Sequence, residues 1–122
     1  MPPAVHVERF TVRHREADRY GDLRLAGWFD FLQEAAANHA AFLGVGMAAL
    51  QQESRIWVLS RLKLEIGRSP RIGETVAVET YPNGFRRLHA ARQFRVTGED
   101  GAEIGRASSR WLLLDAVRLR PL

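Results

Sequence analysis

The order of hydrophobic and polar positions divides the chain into a strand, a long helix and four further strands. Residues 5–16 alternate, with a one-residue slip between Val7 and Phe10 that indicates a bulge or a late strand start. From Leu23 the apolar spacing changes to three and four, which predicts a helix of about 20 residues. Its apolar stripe is wide, so we expect contacts on most of its sides. Asp22 is the predicted N-cap.

The second half of the chain alternates again and predicts four strands joined by short turns. The predicted strands are residues 55–66, 75–81, 85–96 and 103–115. Pro82-Asn83-Gly84 is typical of a hairpin turn, and short connections make neighbouring strands antiparallel. The order therefore predicts an α+β fold, in which a long central helix is wrapped by a curved antiparallel β-sheet. This is the hot-dog architecture, formed as one domain over residues 1–122.

The composition excludes several classes of function. The 122 residues include no cysteine, which excludes disulfides, thiolate nucleophiles and cysteine metal sites. No apolar run has the length of a membrane span, and the N-terminus lacks a signal-peptide pattern, so we expect a cytoplasmic protein without a membrane partner. The net charge of +4 favours anionic partners. Without basic runs interleaved with aromatics, or ligands at metal-binding spacing, we expect no nucleic acid, metal or cofactor.

Several segments resemble the acyl-ACP thioesterase family and keep its spacing along nearly the whole chain. The resemblance is carried by LQEAAANHA and LGVG in the helical region, then by WVLSRLKLEI, PRIGETVAVETYPNGFRRLHAARQFRV and ASSRWLLLD. It implies a hot-dog fold and the hydrolysis of fatty acyl thioesters, carried by acyl carrier protein (ACP) or coenzyme A (CoA). It also implies a place in fatty acid biosynthesis.

One departure from that family concerns its catalytic residues. Family members are similar to two hot-dog repeats in one chain, and this chain resembles the first repeat. The family's catalytic Asp, Asn, His and Glu lie in the second repeat, and no D-x-N-x-H loop occurs here. Either the chain pairs with itself to restore the double arrangement, or it is the N-terminal part of a longer protein. Because an open sheet edge favours aggregation, we expect a homodimer or a tetramer.

The segment DRYGDLRLAGWFDFLQEA also resembles the loop and helix of 4-hydroxybenzoyl-CoA-type thioesterases. Asp18 and Gly21 match that pattern, and Trp28 matches its aromatic residue. Asp22 stands where that family has a histidine, and Leu25 where it has a second asparagine. The resemblance implies that Asp18 is a catalytic carboxylate.

Thioester hydrolysis needs a carboxylate, an oxyanion site and an apolar slot for the acyl chain. Asp18 precedes the helix, close to the amides of about residues 21–24, which predicts a carboxylate and oxyanion pair. The alternative is that Asp18 is only a turn residue. Glu34 and Asn38 share a helix face, and other hot-dog thioesterases use a helix carboxylate across a subunit interface. The alternative for them is a solvated stripe.

The predicted catalytic residues are therefore Asp18, Glu34 and Asn38. The predicted substrate-binding residues are Gly21, Asp22, Leu23, Trp28, Phe31, Val58 and Leu59. The basic residues that are candidates for binding CoA phosphates or ACP, or otherwise for solvated faces, are Arg68, Arg71, Arg86, Arg87 and Arg92. His39 is more typical of a core histidine than of a catalyst. A non-catalytic acyl-binding or structural module is the alternative function, and a hydratase ranks last.

Overall fold

The computed structural model describes residues 4–86 and 89–120, without the side chain of Arg86. Its elements in chain order are β1 (His6–Thr11), a 3-10 turn (His14–Glu16), α1 (Leu25–Phe42), α2 (Met47–Gln51), β2 (Arg55–Ile66), β3 (Thr75–Arg86), β4 (His89–Thr97) and β5 (Glu103–Asp115). Neither helix in this part of the chain is long and apolar enough to cross a membrane.

The five strands form one antiparallel sheet in the order β1-β3-β4-β5-β2. The short connections from β3 to β5 make those strands neighbours in sequence and in space. The first two strands, which flank the helical segment, lie at opposite edges of the sheet. A single long helix packed on a single antiparallel sheet confirms the predicted α+β class and the hot-dog architecture.

Helix α1 presents one apolar face to the sheet, with its buried positions at the spacing of a helix. The buried residues are Gly27, Trp28, Phe31, Leu32, Ala35, Ala36 and His39. They meet the inner residues of β3 and β4, among them Val78 and Phe94. The prediction of contacts on most sides was too broad, because Leu25 is 57% exposed and Phe42 is 60% exposed. A single sheet layer covers only one side of a helix.

The start of α1 differs from the prediction. The helix begins at Leu25, and its N-cap is Arg24, whose extended backbone makes no side-chain capping bond. Asp22 is instead held in an antiparallel bridge with Arg71. Its carboxylate accepts a hydrogen bond of 3.1 Å from the Arg71 guanidinium. The predicted N-cap residue Asp22 therefore forms an ion pair with Arg71 instead of capping the helix.

Two bulges change the predicted strand pattern. In β2 the pairing register shifts between Leu59 and Arg61, and this shift inverts the alternation of inner and outer residues. In β3 the register shifts between Pro82 and Phe85, and the strand continues to Arg86. Pro82-Asn83-Gly84 is therefore a bulge within a strand, and the predicted hairpin turn at this position is wrong.

Candidate active site

Two cavities flank helix α1 and share a wall. A charged cleft of about 610 Å³ lies along the N-terminal half of the helix, beside β1 and the 3-10 turn. An apolar cavity of about 830 Å³ lies along the C-terminal half, beneath α2 and the β3–β4 pair. Gln33 and Ala37 line both. The two cavities are therefore adjacent on either side of these two residues.

The apolar cavity is built mainly from aliphatic and aromatic residues, and its polar members are Gln33, Gln51, Arg55 and Arg92. On the helical side it is lined by Ala36, Ala40, Leu43, Val45, Met47 and Leu50, and on the sheet side by Ile56, Trp57, Phe85, Ala90, Ala91, Arg92 and Trp111. The Trp57 indole donates a hydrogen bond of 3.1 Å to the Val45 carbonyl, which ties the segment between the helices to β2. The Trp57 and Phe85 rings also pack edge to face, with their centroids 6.5 Å apart. The alanines on α1 and β4 leave the space that these aromatic rings enclose.

Glu34 lies on the charged cleft, as does Phe31. The Glu34 side chain is exposed, as in the solvated stripe that was the alternative interpretation. Among the described residues, no hydrogen bond or ion pair engages the Glu34 carboxylate. The cleft also contains Ala26 and Gly27 of the first helical turn, where backbone amides lack helical partners. Ala26 and Glu34 are eight positions apart, which corresponds to about 12 Å along the helix axis. An oxyanion beside Glu34 therefore needs hydrogen-bond donors from another element.

Asp18 organises the loop before α1. Its Oδ1 accepts hydrogen bonds from the backbone N–H of Tyr20 at 2.8 Å and of Asp22 at 3.0 Å. These backbone N–H groups, that of Asp22 foremost, lower the pKa of Asp18. The carboxylate is therefore ionised at neutral pH and is a weaker base than an ordinary aspartate. This is the geometry of the turn residue that was the alternative interpretation.

The amides proposed as an oxyanion site are already engaged. The Gly21 N–H donates to the Asp18 carbonyl, and the Asp22 N–H donates to the Asp18 carboxylate. The Leu23 N–H donates to the Pro70 carbonyl at 2.8 Å, and the Arg24 N–H donates to the Glu16 carbonyl at 2.9 Å. The prediction that these four amides form an oxyanion site is wrong, because the loop uses them for its own fold.

Asn38 contacts Glu8 on β1 rather than Glu34. Its Nδ2 donates to both carboxylate oxygens of Glu8 at 2.9 Å. Glu8 also hydrogen-bonds His6 at 2.8 Å, and the His6 ring stacks on His39 with centroids 5.4 Å apart. The Asn38 amide is therefore engaged by β1, and among the described residues no hydrogen bond joins it to Glu34. His39 is fully buried, as expected for a core histidine.

The predicted acyl-binding residues are divided by the structure. Trp28 is 1% exposed in the core and lines neither cavity. Because of the β2 bulge, Trp57 faces inward and Val58 is exposed, and neither Val58 nor Leu59 lines a cavity. The neighbouring Ile56 and Trp57 line the apolar cavity instead. The loop residues Gly21, Asp22 and Leu23 lie outside both linings.

Two of the five basic candidates form ion pairs within the chain. Arg68 makes two hydrogen bonds to Glu74, at 2.9 and 2.8 Å, and Arg71 pairs with Asp22. Arg87 and the side chain of Arg86 lie outside the described residues.

Arg92 is buried in the apolar cavity rather than solvated. The alternation of β4 could have predicted this burial, because Arg92 is in phase with the buried Phe94 and Val96. Within the described ranges, no group of three metal-binding side chains occurs.

Comparisons with known proteins agree on one family. The family model described as "Acyl-ACP thioesterase N-terminal domain" matches residues 3–122. The palmitoyl-ACP thioesterase of Gossypium hirsutum is 28% identical over 95% of this chain and 30% of its own length. An acyl-ACP thioesterase structure from Bacteroides thetaiotaomicron superposes with a TM-score of 0.92 at 30% identity, covering 97% of this chain and 49% of that one.

A more distant structure supports the fold alone. The DHNA-CoA thioesterase of Staphylococcus aureus superposes with a TM-score of 0.89 at 18% identity, over 97% of this chain and 79% of its own. The chain thus spans about a third of the curated relative and half of the Bacteroides structure. The match along nearly the whole length shows that this chain belongs to the acyl-ACP thioesterase N-terminal domain family.

Proposed function

We propose that this protein hydrolyses fatty acyl thioesters carried by ACP or CoA, and that the apolar cavity holds the acyl chain. The observation that carries the proposal is the cavity of about 830 Å³ between α1, α2 and the sheet. Ligand pockets commonly measure about 300–1,000 Å³ and are mostly apolar. Each methylene buried there contributes about 0.8 kcal/mol, so a chain of eight methylenes contributes roughly 6 kcal/mol.

Glu34 is the carboxylate that we place at the reaction. It is unpaired among the described side chains, and it follows Gln33, which lines both cavities. In this proposal Glu34 takes a proton from water as the water oxygen attacks the thioester carbonyl. The tetrahedral intermediate then expels the thiolate, which receives the proton. Asp18 remains a candidate nucleophile through its second carboxylate oxygen, and Asn38 positions Glu8 rather than the water.

A second hot-dog unit is expected to complete the site. The 12-residue strand β2 lies at a sheet edge, with β5 as its partner in the described structure. An open edge of this length is a template for another strand. We propose a homodimer or a tetramer of this chain, in which the second unit supplies the oxyanion donors that α1 lacks near Glu34. Native mass spectrometry tests this assembly, and a monomer at working concentration would contradict it.

The hydrolysis experiment compares carboxylate variants on a panel of acyl-ACP and acyl-CoA thioesters. Glu34→Gln is expected to lower kcat by at least 100-fold, within the usual range of general acid–base contributions. Asp18→Asn keeps the turn acceptor and separates a chemical role from a structural one. Equal activity of Glu34→Gln and the wild type would refute the role of Glu34. A loss in Asp18→Asn alone would assign the chemistry to Asp18.

The acyl cavity has its own test. Ala90→Phe places a ring on the inner face of β4. It is expected to weaken the binding of long acyl chains more than the binding of short ones. Each excluded methylene costs about 0.8 kcal/mol, or roughly a factor of four in affinity. Ala48→Phe, on α2 outside both linings, is the matched control. If both variants keep the wild-type chain-length profile, the acyl chain lies elsewhere.

The alternative function is a non-catalytic acyl-binding or structural module. The observation that favours it is that Asp18, Asn38 and the amides of residues 21–24 are all engaged in structural contacts. Tight binding of acyl chains without turnover of any thioester in the panel would support this alternative and refute the hydrolase.

A further inference from the structure

Arg92 is a buried cation in a cavity whose walls are mostly apolar. It lies in the middle of β4, is 8% exposed and lines the apolar cavity. Its neighbours His39, Thr80 and Ser109 are buried, whereas Met47 and Phe85 at the other side of the cavity are 75% and 60% exposed. The guanidinium is therefore placed at the inner end of the cavity, and the exposed apolar side chains mark the mouth.

In the described part of the chain, the side-chain hydrogen bonds of Arg92 use one guanidinium nitrogen, Nη1. Nη1 donates to the Thr80 hydroxyl at 3.1 Å and contacts His39 Nδ1 at 2.9 Å. Because a guanidinium carries donors and no acceptor, Nδ1 of His39 must accept, and this histidine is neutral in the contact. Both partners are uncharged. Among the described residues, no acceptor is found for Nε or Nη2.

Among the described residues, the Arg92 cation also has no counter-ion. Within the described part of the chain, no carboxylate lies within 4.0 Å of the Arg92 guanidinium, whereas Arg68 and Arg106 each have a glutamate partner. Burial lowers the pKa of Arg92, which reflects lost hydration without a compensating charge. An arginine remains protonated in such a site. A buried charge without a partner is costly, so it is retained where a ligand offsets the cost.

We propose that the cavity binds an alkyl chain ending in a carboxylate, which pairs with Nε and Nη2 of Arg92. These two nitrogens form one side of the guanidinium fork and match the two oxygens of a carboxylate. The alkyl part occupies the apolar walls between Arg92 and the mouth. Such a ligand is either a free fatty acid bound head-inward or an acyl thioester with a second carboxylate at its far end. This inference rests on the acyl cavity of the proposed function and deepens it.

The experiment measures binding of decanoate and methyl decanoate by isothermal titration calorimetry, below the concentration at which decanoate forms micelles. The wild type is expected to bind the acid at least 10-fold more tightly than the ester, because the ester has the same chain and no charge. Arg92→Met removes the charge, keeps an unbranched side chain and is expected to abolish that preference. Arg55→Met is the matched control, since Arg55 lines the same cavity with a side chain 44% exposed. It should keep the preference.

A second measurement does not depend on the folding of Arg92→Met. The carboxyl carbon of labelled decanoate is titrated by NMR on the wild-type protein. Pairing with the guanidinium is expected to lower the pKa of the bound acid below that of the free acid. Equal affinity for acid and ester, or a bound acid whose pKa is unchanged or raised, overturns the proposal. Failure of both ligands to bind instead refutes the acyl cavity itself, and with it the proposed function.

The two sources of the carboxylate are separated with thioesters. Competition with decanoate is compared between dodecanoyl-CoA and the mono-CoA thioester of dodecanedioic acid. If the dodecanedioic thioester competes at least 10-fold more strongly than dodecanoyl-CoA, and this difference is lost in Arg92→Met, Arg92 binds the far end of an acyl substrate. Equal competition by the two, with the preference for free decanoate retained, assigns Arg92 to the head group of a free acid.

Discussion

The contact between Gly105 on β5 and Trp28 on α1 gives a prediction that can be worked out from distances. A Cβ added at Gly105 would lie 2.8 and 2.9 Å from two carbons of the Trp28 ring, and 3.2 Å from the Glu65 carbonyl. Carbon atoms pack best at about 3.5–4.0 Å, so the overlap with the ring is roughly 0.6–1.2 Å. Trp28 is buried and Glu65 contributes backbone, so neither neighbour moves freely.

The expected cost of Gly105→Ala is about 2 kcal/mol, in the middle of the range for overpacked cores. For a domain of this length, that lowers Tm by roughly 8 °C. Differential scanning calorimetry and urea denaturation measure both quantities. The control is Gly67→Ala, where the added Cβ meets only the Ile104 carbonyl at 3.4 Å, an ordinary contact. It should leave Tm unchanged or raise it slightly, because alanine restricts the unfolded chain.

A double-mutant cycle isolates the contact. Trp28→Phe removes the ring atoms that the new Cβ would meet, and it also removes a buried indole N–H that has no acceptor among the described residues. Gly105→Ala should therefore cost at least about 1 kcal/mol less in the Trp28→Phe background than in the wild type. Simple additivity of the two changes, or a wild-type Tm for Gly105→Ala, would refute the close packing of the Trp28 ring on Gly105.

Three further predictions concern charged groups. The guanidinium of Arg68 lowers the pKa of Glu74 to about 2. The ion pair therefore stabilises the fold fully at pH values above the pKa of an ordinary glutamate, and this stabilisation is lost as the pH falls toward 2. Glu74→Gln should cost about 1 kcal/mol at pH 7 in urea denaturation, and a deficit as large at pH 2.5 as at pH 7 would contradict the ion pair. Asn38→Asp should destabilise by roughly 1–3 kcal/mol at pH 7, because it sets a carboxylate against Glu8, and acidification to pH 4 should restore part of this loss. Asp18→Ala should destabilise the fold through the lost turn acceptor, and Asp18→Asn should destabilise it less. Equal losses of the two variants in urea denaturation would contradict the turn role.

The hydrophobic pattern predicted the main elements because their apolar positions repeat with the period of each element. The three-and-four spacing placed Trp28, Leu32, Ala35, Ala36 and His39 on one helix face, and all of them are buried in the structure. The alternation in the second half of the chain predicted four strands, and the short connections predicted their antiparallel pairing. The order of the elements predicted the hot-dog architecture and the family resemblance implied the same, which the strand order and the comparisons confirm.

Local pattern did not place the polar groups, because their partners are far away in the sequence. Asp22 looked like a helix cap, but Arg71 reaches it across 49 positions. Asn38 lies on the same helix face as Glu34, but its amide donates to Glu8, which is 30 positions away in the sequence. Side-chain hydrogen bonds depend on which strands lie beside the helix, and the sequence alone did not give that order.

The sequence by itself determined the fold class and the family, since both depend on periodicity and motif spacing. The tertiary structure decided where the cavities lie and what lines them. One extra residue in β2 exchanged the inner and outer positions, so that Trp57 lines the apolar cavity and Val58 is exposed. Arg92 looked like one basic residue among many, and only the packing of α1 on β4 shows it to be a buried cation without a carboxylate partner in the described chain. Charge and hydrophobicity can be read from a sequence, but burial arises only when distant segments meet.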